Sequence, residues 1–156
     1  MSDISQEQIQ GRLERFVDVC RQKGLKITPQ RLEIFRELAA SEEHPTAETL
    51  FNGIKVRMPT VSLDTVYRTL GTLQEHGLIT RVEVLDERSR YDANLDRHHH
   101  LVCVRCDTVQ DLYWPEVDGM SLPVDMENWG NVHQLHAELR GLCRACLEKS
   151  GETDGS

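Results

Sequence analysis

The stretch Ser62-Leu63-Asp64-Thr65-Val66-Tyr67-Arg68-Thr69-Leu70 decides how the first half of this 156-residue chain folds. Ser62 is an N-cap residue type, Leu63, Val66, Leu70 and Leu73 recur at helical spacing, and Gly77 is a stop signal. The opposite face carries Asp64, Thr65, Arg68, Thr69 and Thr72. This is the composition of a helix that reads a major groove. Its N-terminus offers N–H groups to phosphate, Tyr67 can touch thymine methyls, and Arg68 can reach guanine O6 and N7. An ordinary amphipathic helix with a solvated face has the same pattern, so composition alone leaves both readings open.

Upstream, Ile9, Leu13, Phe16, Val17 and Cys20 mark a helix started by a Ser5/Gln8 capping box and stopped at Gly24. Thr28-Pro29 opens a second helix with Leu32, Phe35, Leu38 and Ala39 inward. After the break at His44-Pro45-Thr46, a third places Ala47, Leu50, Phe51 and Ile54 inward and ends at Met58-Pro59. Downstream the period changes: residues 79–92 alternate, with a turn at Asp86-Glu87-Arg88-Ser89. Helices followed by a hairpin predict a winged helix-turn-helix, and Lys26, Lys55, Arg57 and Arg81 are candidates to grip a phosphate backbone. The remainder reads as α+β, with strands at Leu101–Val104, Thr108–Tyr113 and Val132–Leu139 and a short helix near Pro115–Met120. The expected division is a winged-helix domain at 1–84, a hinge at 85–89, a small metal-binding α/β dimerisation domain at 90–149, and a disordered polar tail at 150–156.

Charge is uneven. The chain carries −8 overall, but residues 1–84 hold 11 Lys and Arg against 12 Asp and Glu, and residues 85–156 hold 7 against 14. A nucleic-acid surface must therefore be local and belong to the first half, while the acidic second half suits cations. The polar stretch Met1–Gln10 does not resemble a signal peptide, and no run is long enough to cross a membrane, so a cytoplasmic protein is expected.

Cys103-x-x-Cys106 and Cys143-x-x-Cys146 are the strongest chemical signal. Two thiolates three positions apart hold one tetrahedral ion from a tight turn, and two such pairs complete a four-sulfur shell. A closed shell leaves no position for substrate, so the zinc it predicts is structural. The plainer alternative is separate redox or buried cysteines. Cys20 is left over.

His98-His99-His100 immediately precedes the first pair. In an extended segment His98 and His100 point one way and His99 the other. Asp92, Asp96 and Asp111 are nearby acidic candidates, and His44 sits at a helix–helix break. Mixed imidazole and carboxylate ligands suit Fe²⁺, Mn²⁺ or Zn²⁺. A solvated or capping role is the plainer reading of His44 taken alone.

Together these pieces resemble the ferric uptake regulator (Fur) superfamily, and within it the peroxide-responsive (PerR) branch, from about Arg15 to Cys146. The matching stretches are Gly24 to Arg31, His44-Pro45-Thr46-Ala47, Ser62 to Leu70, Ser89-Arg90-Tyr91-Asp92, His98 to Cys106 and Gly141 to Cys146. The resemblance implies a homodimeric repressor on a palindromic double-stranded DNA operator, with Lys26, Thr28, Gln30, Arg31, Ser62, Thr65, Tyr67 and Arg68 as the DNA-contacting set. It implies a regulatory Fe²⁺ or Mn²⁺ held by His44, Asp92, His98, His100 and Asp111, beside the structural zinc. Aspartate at both 92 and 111 is similar to the peroxide-responsive branch, in which bound Fe²⁺ reacts with H₂O₂ and oxidises a histidine ligand, by position His44 or His98. Release from DNA follows. Three positions depart from the pattern: Asp107-Thr108 stands where Gly-Lys is usual, Leu135 stands where many iron-type members have histidine although His133 and His136 flank it, and Arg68 is commoner in the iron-type branch.

Three other readings compete. One is an iron-responsive regulator of uptake genes on the same fold. Another, from a different class, is a thiol redox switch built on the cysteine pairs. A zinc enzyme using the histidines lacks a general base placed like the Glu of His-Glu-x-x-His, so no enzymatic activity is expected.

Overall fold

A computed structural model describes residues 4–41, 43–82, 88–123, 126–132 and 134–151. Helix α1 (Gln6–Lys23) starts where Ser5 Oγ accepts from Gln8 N–H and Gln8 Oε1 accepts from Ser5 N–H, and it stops at Gly24 with φ 68°. Thr28 caps α2 (Pro29–Ala39) by accepting from Arg31 N–H. Thr46 caps α3 (Ala47–Ile54), which ends one turn before the expected Met58-Pro59. Ser62 caps α4 (Leu63–Glu75), and Gly77 follows with φ 70°.

The four helices share one core. Phe16 of α1 stacks on Phe35 of α2 with ring centroids 4.2 Å apart, and Ile34, Leu38, Leu50, Ile54, Val66, Leu70 and Leu73 close around them. Fully burying each of these side chains is worth about 1.5–3 kcal/mol. Arg12 Nη1 donates to Ala39 O at 2.9 Å, which satisfies a carbonyl at the C-terminus of α2 and ties α1 to it. Thr69, expected on the solvated face of α4, is 8% exposed and joins the buried side; Leu63, expected inward, is only partly covered. The buried stripe is therefore rotated slightly toward Thr69, because α2 and α3 both pack on α4.

Strands β1 (Thr80–Val82) and β2 (Arg90–Asp92) form an antiparallel hairpin with Thr80 opposite Asp92 and Val82 opposite Arg90. This is the wing. Residues 83–87, which include most of the expected hinge and half of the expected turn, lie outside the described residues.

The chain divides into two compact units after Leu95, later than the boundary expected at 85–89. The reason is pairing. β2 hydrogen-bonds to β1, Tyr91 N–H bonds Pro45 O at 3.1 Å, and Tyr91 and Ala93 sit in the helical core. Asp92, expected in the second domain, is thus part of the first.

The second unit is a three-stranded sheet of order β4-β3-β5 with short helices. β3 (His99–Cys103) pairs antiparallel with β4 (Val109–Leu112), placing His100 opposite Asp111. It pairs in parallel with β5 (Glu138–Gly141), placing Cys103 opposite Gly141. α5 (Pro115–Asp118) lies where a short helix was expected, whereas α6 (Met126–Trp129) was not. The strand expected at Val132–Leu139 is observed at Glu138–Gly141. The four residues of β5 are all exposed, so no alternation marks them. α7 (Arg144–Ser150) follows Cys143. The expected tail lies outside the described residues beyond Gly151. Among the described residues no helix is long and apolar enough to cross a membrane.

Candidate metal centre

The four cysteines are brought together at the C-terminal end of β3. After β3 the chain turns back through Cys103-Val104-Arg105-Cys106-Asp107, closed by Asp107 N–H on Cys103 O at 3.0 Å. Asp107 takes φ 60° in this turn, which explains why glycine, unhindered there, suits the position. Parallel pairing with β5 then delivers Cys143, and Cys146 follows one turn into α7. The four sulfurs lie within 4.8 Å of one another, with Cys106 Sγ to Cys143 Sγ at 3.7 Å. Four sulfurs around zinc at about 2.3 Å each stand roughly 3.8 Å apart, so this cluster fits a tetrahedral ion. Burial pushes the Cys103 thiol up, but N–H groups of Cys143, Cys106 and Arg105 outweigh it and bring it down to about 6. Thr108, hydrogen-bonded to Cys106 Sγ at 3.0 Å, lowers that thiol as well. Burial and the other three sulfurs push Cys146 up to about 12. A cation is what would allow all four to ionise together.

A second set lies on the other face of β3. His98 Nε2 is 3.4 Å and His100 Nε2 3.5 Å from Asp111 Oδ1. The alternation of β3 puts the two imidazoles on one side, and the antiparallel register puts Asp111 opposite them. Each ring is held by its other nitrogen. His98 Nδ1 bonds Asp96 O at 2.5 Å, and His100 Nδ1 lies 3.2 Å from His136 Nε2. Engaging Nδ1 leaves Nε2 to the carboxylate side, which is how metal-binding histidines are oriented. Asp96 thus enters through its carbonyl.

In the first unit, His44 Nε2 is 3.3 Å from Asp92 Oδ2. His44 has φ 52°, in the left-handed region. The corner is held by Arg90 Nη1 on His44 O at 3.2 Å and by the bridge between Thr46 and Arg90. Asp92 Oδ1 accepts from Asn94 N–H at 2.9 Å, leaving Oδ2 to face the imidazole. Each set, taken by itself, joins a carboxylate oxygen to imidazole Nε2, the donor chemistry that suits Fe²⁺, Mn²⁺ or Zn²⁺.

His99 points to the opposite side of β3 from His98 and His100. It accepts Ala137 N–H at Nδ1 (2.8 Å), so its proton sits on Nε2 and is donated to Asp118 Oδ1 (2.8 Å), which also takes Arg97 Nε at 3.0 Å. Both nitrogens of His99 are therefore used within the protein. His133 lies outside the described residues. His136, Asn94 and Asp118 were not read as part of either site; of these, only His136 carried a signal, as a histidine two residues from the strand that pairs with β3.

The outer face of α4 carries Tyr67 and Arg68. Tyr67 Oη donates to Glu48 Oε1 at 2.6 Å, and Arg68 Nε pairs with Asp64 Oδ2 at 2.9 Å with both side chains about three-quarters exposed. The Ser62 and Thr65 hydroxyls bond each other at 2.9 Å within the α4 cap, and Thr28 Oγ1 accepts from Arg31 N–H at 3.1 Å at the start of α2. Lys26 and Gln30 are exposed, and Arg31 Nη1 donates to Lys26 O at 2.6 Å. Two of the expected phosphate grips are otherwise engaged: Arg57 by Glu37 and Glu33, and Arg81 by Ser89.

The sequence profile of the ferric uptake regulator family matches residues 22–139. The chain belongs to the ferric uptake regulator family. It is 30% identical over 143 residues to the peroxide-responsive repressor PerR of Staphylococcus epidermidis, covering 92% of this chain and 95% of that protein. Its fold resembles that of the Helicobacter pylori ferric uptake regulator Fur, a protein with three functional metal binding sites (TM-score 0.71, 23% identity, 99% of this chain and 100% of that one). It also resembles a zinc uptake regulator complexed with zinc and DNA (TM-score 0.65, 25% identity, 92% and 97%). Family membership makes the chain a metal-dependent regulator by class rather than an enzyme. The winged-helix unit and the cysteine-stapled α/β unit are the family's fold.

Proposed function

We propose that this protein is a metal-dependent repressor that binds a palindromic DNA operator as a homodimer in the cytoplasm and releases it when peroxide oxidises a histidine ligand. The observation that carries the metal reading is the presentation of His98 and His100, both by Nε2, to Asp111. His44 and Asp92 supply a matching pair from the first unit. One ion taking ligands from both units would fix the angle between them and so favour the DNA-competent state, by as much as it prefers that state. Zinc at Cys103, Cys106, Cys143 and Cys146 would hold the second unit together throughout.

The DNA reading is supported by the exposed, capped start of α4 and by the relative solved on DNA. The dimer reading is supported by apolar side chains left exposed in the second unit, among them Met120 at 59%, Leu122 at 43% and Trp129 at 75%. The peroxide reading is supported by the similarity to PerR and by the two carboxylates, since anionic oxygen donors favour loss of an electron from the metal. Bound Fe²⁺ would supply the electron that activates H₂O₂ next to an imidazole. His44 and His98 would be the imidazoles at bonding distance from that ion, so oxidation would be local rather than spread over surface methionines.

The test loads the protein with Fe²⁺ or Mn²⁺ and measures operator binding and peptide masses before and after peroxide. The expected result is one added oxygen on the His44 or His98 peptide and loss of DNA binding, with iron only. Iron-loaded protein that keeps unmodified histidines and its operator would favour reversible iron sensing instead. Cysteine oxidation preceding any histidine change would favour a thiol switch, for which the low Cys103 thiol is the one specific support.

A further inference from the structure

His136 belongs to none of the ligand sets above, yet it touches one of them. Its Nε2 lies 3.2 Å from His100 Nδ1, and the two rings meet at 60° with centroids 4.9 Å apart. The same ring hydrogen-bonds the backbone of His98. Two ring nitrogens 3.2 Å apart share one proton, so one donates and the other accepts. A neutral imidazole has a single N–H. With the single N–H of His136 on Nδ1, its Nε2 keeps the lone pair and accepts. His100 must then carry its proton on Nδ1, and the lone pair on His100 Nε2 faces Asp111, 3.5 Å away.

The neighbouring imidazole reaches the same state by another route. His98 Nδ1 is fixed by a main-chain oxygen, Asp96 O. For His100 the partner is a side chain, from the segment leading into β5. We propose that His136 is a positioning residue that fixes the tautomer and ring orientation of His100, so that His100 offers Nε2 to the regulatory ion. The inference rests on the metal reading given under Proposed function and adds a residue to it. His136 links the ligand set to β5, and β5 leads on to the Cys143 turn, so the histidine face and the cysteine face of β3 are braced by one strand.

Outer partners of ligating histidines typically contribute 10–100-fold to metal affinity. His136 is exposed, so water can take part of its place, and the effect should fall near the lower end, about tenfold. The experiment is a Co²⁺ titration of the zinc-containing full chain, following the cobalt d–d bands, for wild type, His136→Ala and His136→Gln. His136→Ala should weaken cobalt binding about tenfold. Gln has both an acceptor oxygen and an N–H donor, so His136→Gln should return affinity to near the wild-type value. Band positions and intensities should be the same in all three, because the ligands are unchanged. Wild-type affinity in His136→Ala would overturn the proposal. So would a Gln variant as weak as the Ala variant, or a band pattern that changes in both, which would make His136 a ligand. A wild-type protein that takes up no cobalt beyond the cysteine site would overturn the metal reading itself, and this inference with it.

Discussion

Tyr67 Oη donates a 2.6 Å hydrogen bond to Glu48 Oε1, so a carboxylate of α3 holds the ring that α4 exposes. The bond pushes the Tyr67 phenol above its ordinary range and holds the Glu48 carboxyl below its own. A raised phenol contributes its share of stability below the ordinary phenol range and loses it as pH rises through the raised value. A lowered carboxyl contributes above the ordinary carboxylate range and loses its share as pH falls through the lowered value. The bond is therefore intact across neutral pH. In Glu48→Ala the Tyr67 phenolate should appear at lower pH in an alkaline absorbance titration. Glu48→Gln keeps a bond but removes a negative charge, and should raise operator affinity most at low salt.

Arg68 is paired with Asp64 on an exposed helix face, and such pairs are worth about 0–1 kcal/mol. A bidentate guanine contact is worth roughly 1–3 kcal/mol, so the pair yields to DNA. Arg68→Ala should cost about 1–3 kcal/mol of operator binding and relax one base pair per half-site. Lys26→Ala should weaken binding to all sequences and flatten the salt slope. Equal losses on operator and random DNA for both variants would remove Arg68 as a base reader.

Cys143→Ser should lose zinc, dimer and DNA binding together, since metal binding and folding of such a unit are one equilibrium. Because Cys103 sits at about 6 and Cys146 at about 12, zinc uptake at pH 7 should release fewer than four protons per site and tighten as pH rises. Calorimetry in buffers of different ionisation enthalpy counts those protons. A stable, dimeric, zinc-free Cys143→Ser protein would end the structural role.

His44→Ala and Asp92→Ala should abolish metal-stimulated operator binding while the cysteine-bound zinc and the dimer remain. Metal content and sedimentation establish what remains; anisotropy on operator DNA establishes what is lost. A full metal response in both His44→Ala and Asp92→Ala would mean that the first unit supplies no ligand.

Asp107→Gly should stabilise the second unit. The left-handed region costs a non-glycine residue about 1–2 kcal/mol, and glycine loses about 0.5–1 kcal/mol through its unfolded-state freedom, so the net gain is about 0.5–1 kcal/mol. Asp107 Oδ1 is also buried without a hydrogen bond, which adds to the same direction. Denaturant midpoints at fixed zinc measure it.

Much of the fold was legible because its signals are local. Ser5, Thr28 and Ser62 each cap the helix expected to follow, and Gly24 takes the left-handed turn expected of it. Thr69 was misplaced because a helical wheel does not say which neighbours pack where, and α2 and α3 cover that edge. β5 was placed several residues early because all of its side chains are exposed; the strand exists through main-chain bonds to β3, which leave no hydrophobic alternation.

The sequence by itself determined the first four helices, the caps at Ser5, Thr28 and Ser62, the two cysteine pairs, and the placement of His98 and His100 on one side of an extended segment. All of these depend on spacing within a few residues, where backbone geometry is periodic. Tertiary structure decided which groups meet across the chain. Antiparallel register set Asp111 against His98 and His100, parallel pairing with β5 carried Cys143 to Cys103 and His136 to His100, and the β1–β2 hairpin drew Asp92 to His44. Strand direction and register are chosen by hydrogen bonds between separate segments of the chain, not within one. A one-residue slip would turn every side chain to the other face, so these partnerships exist only once the sheet has formed.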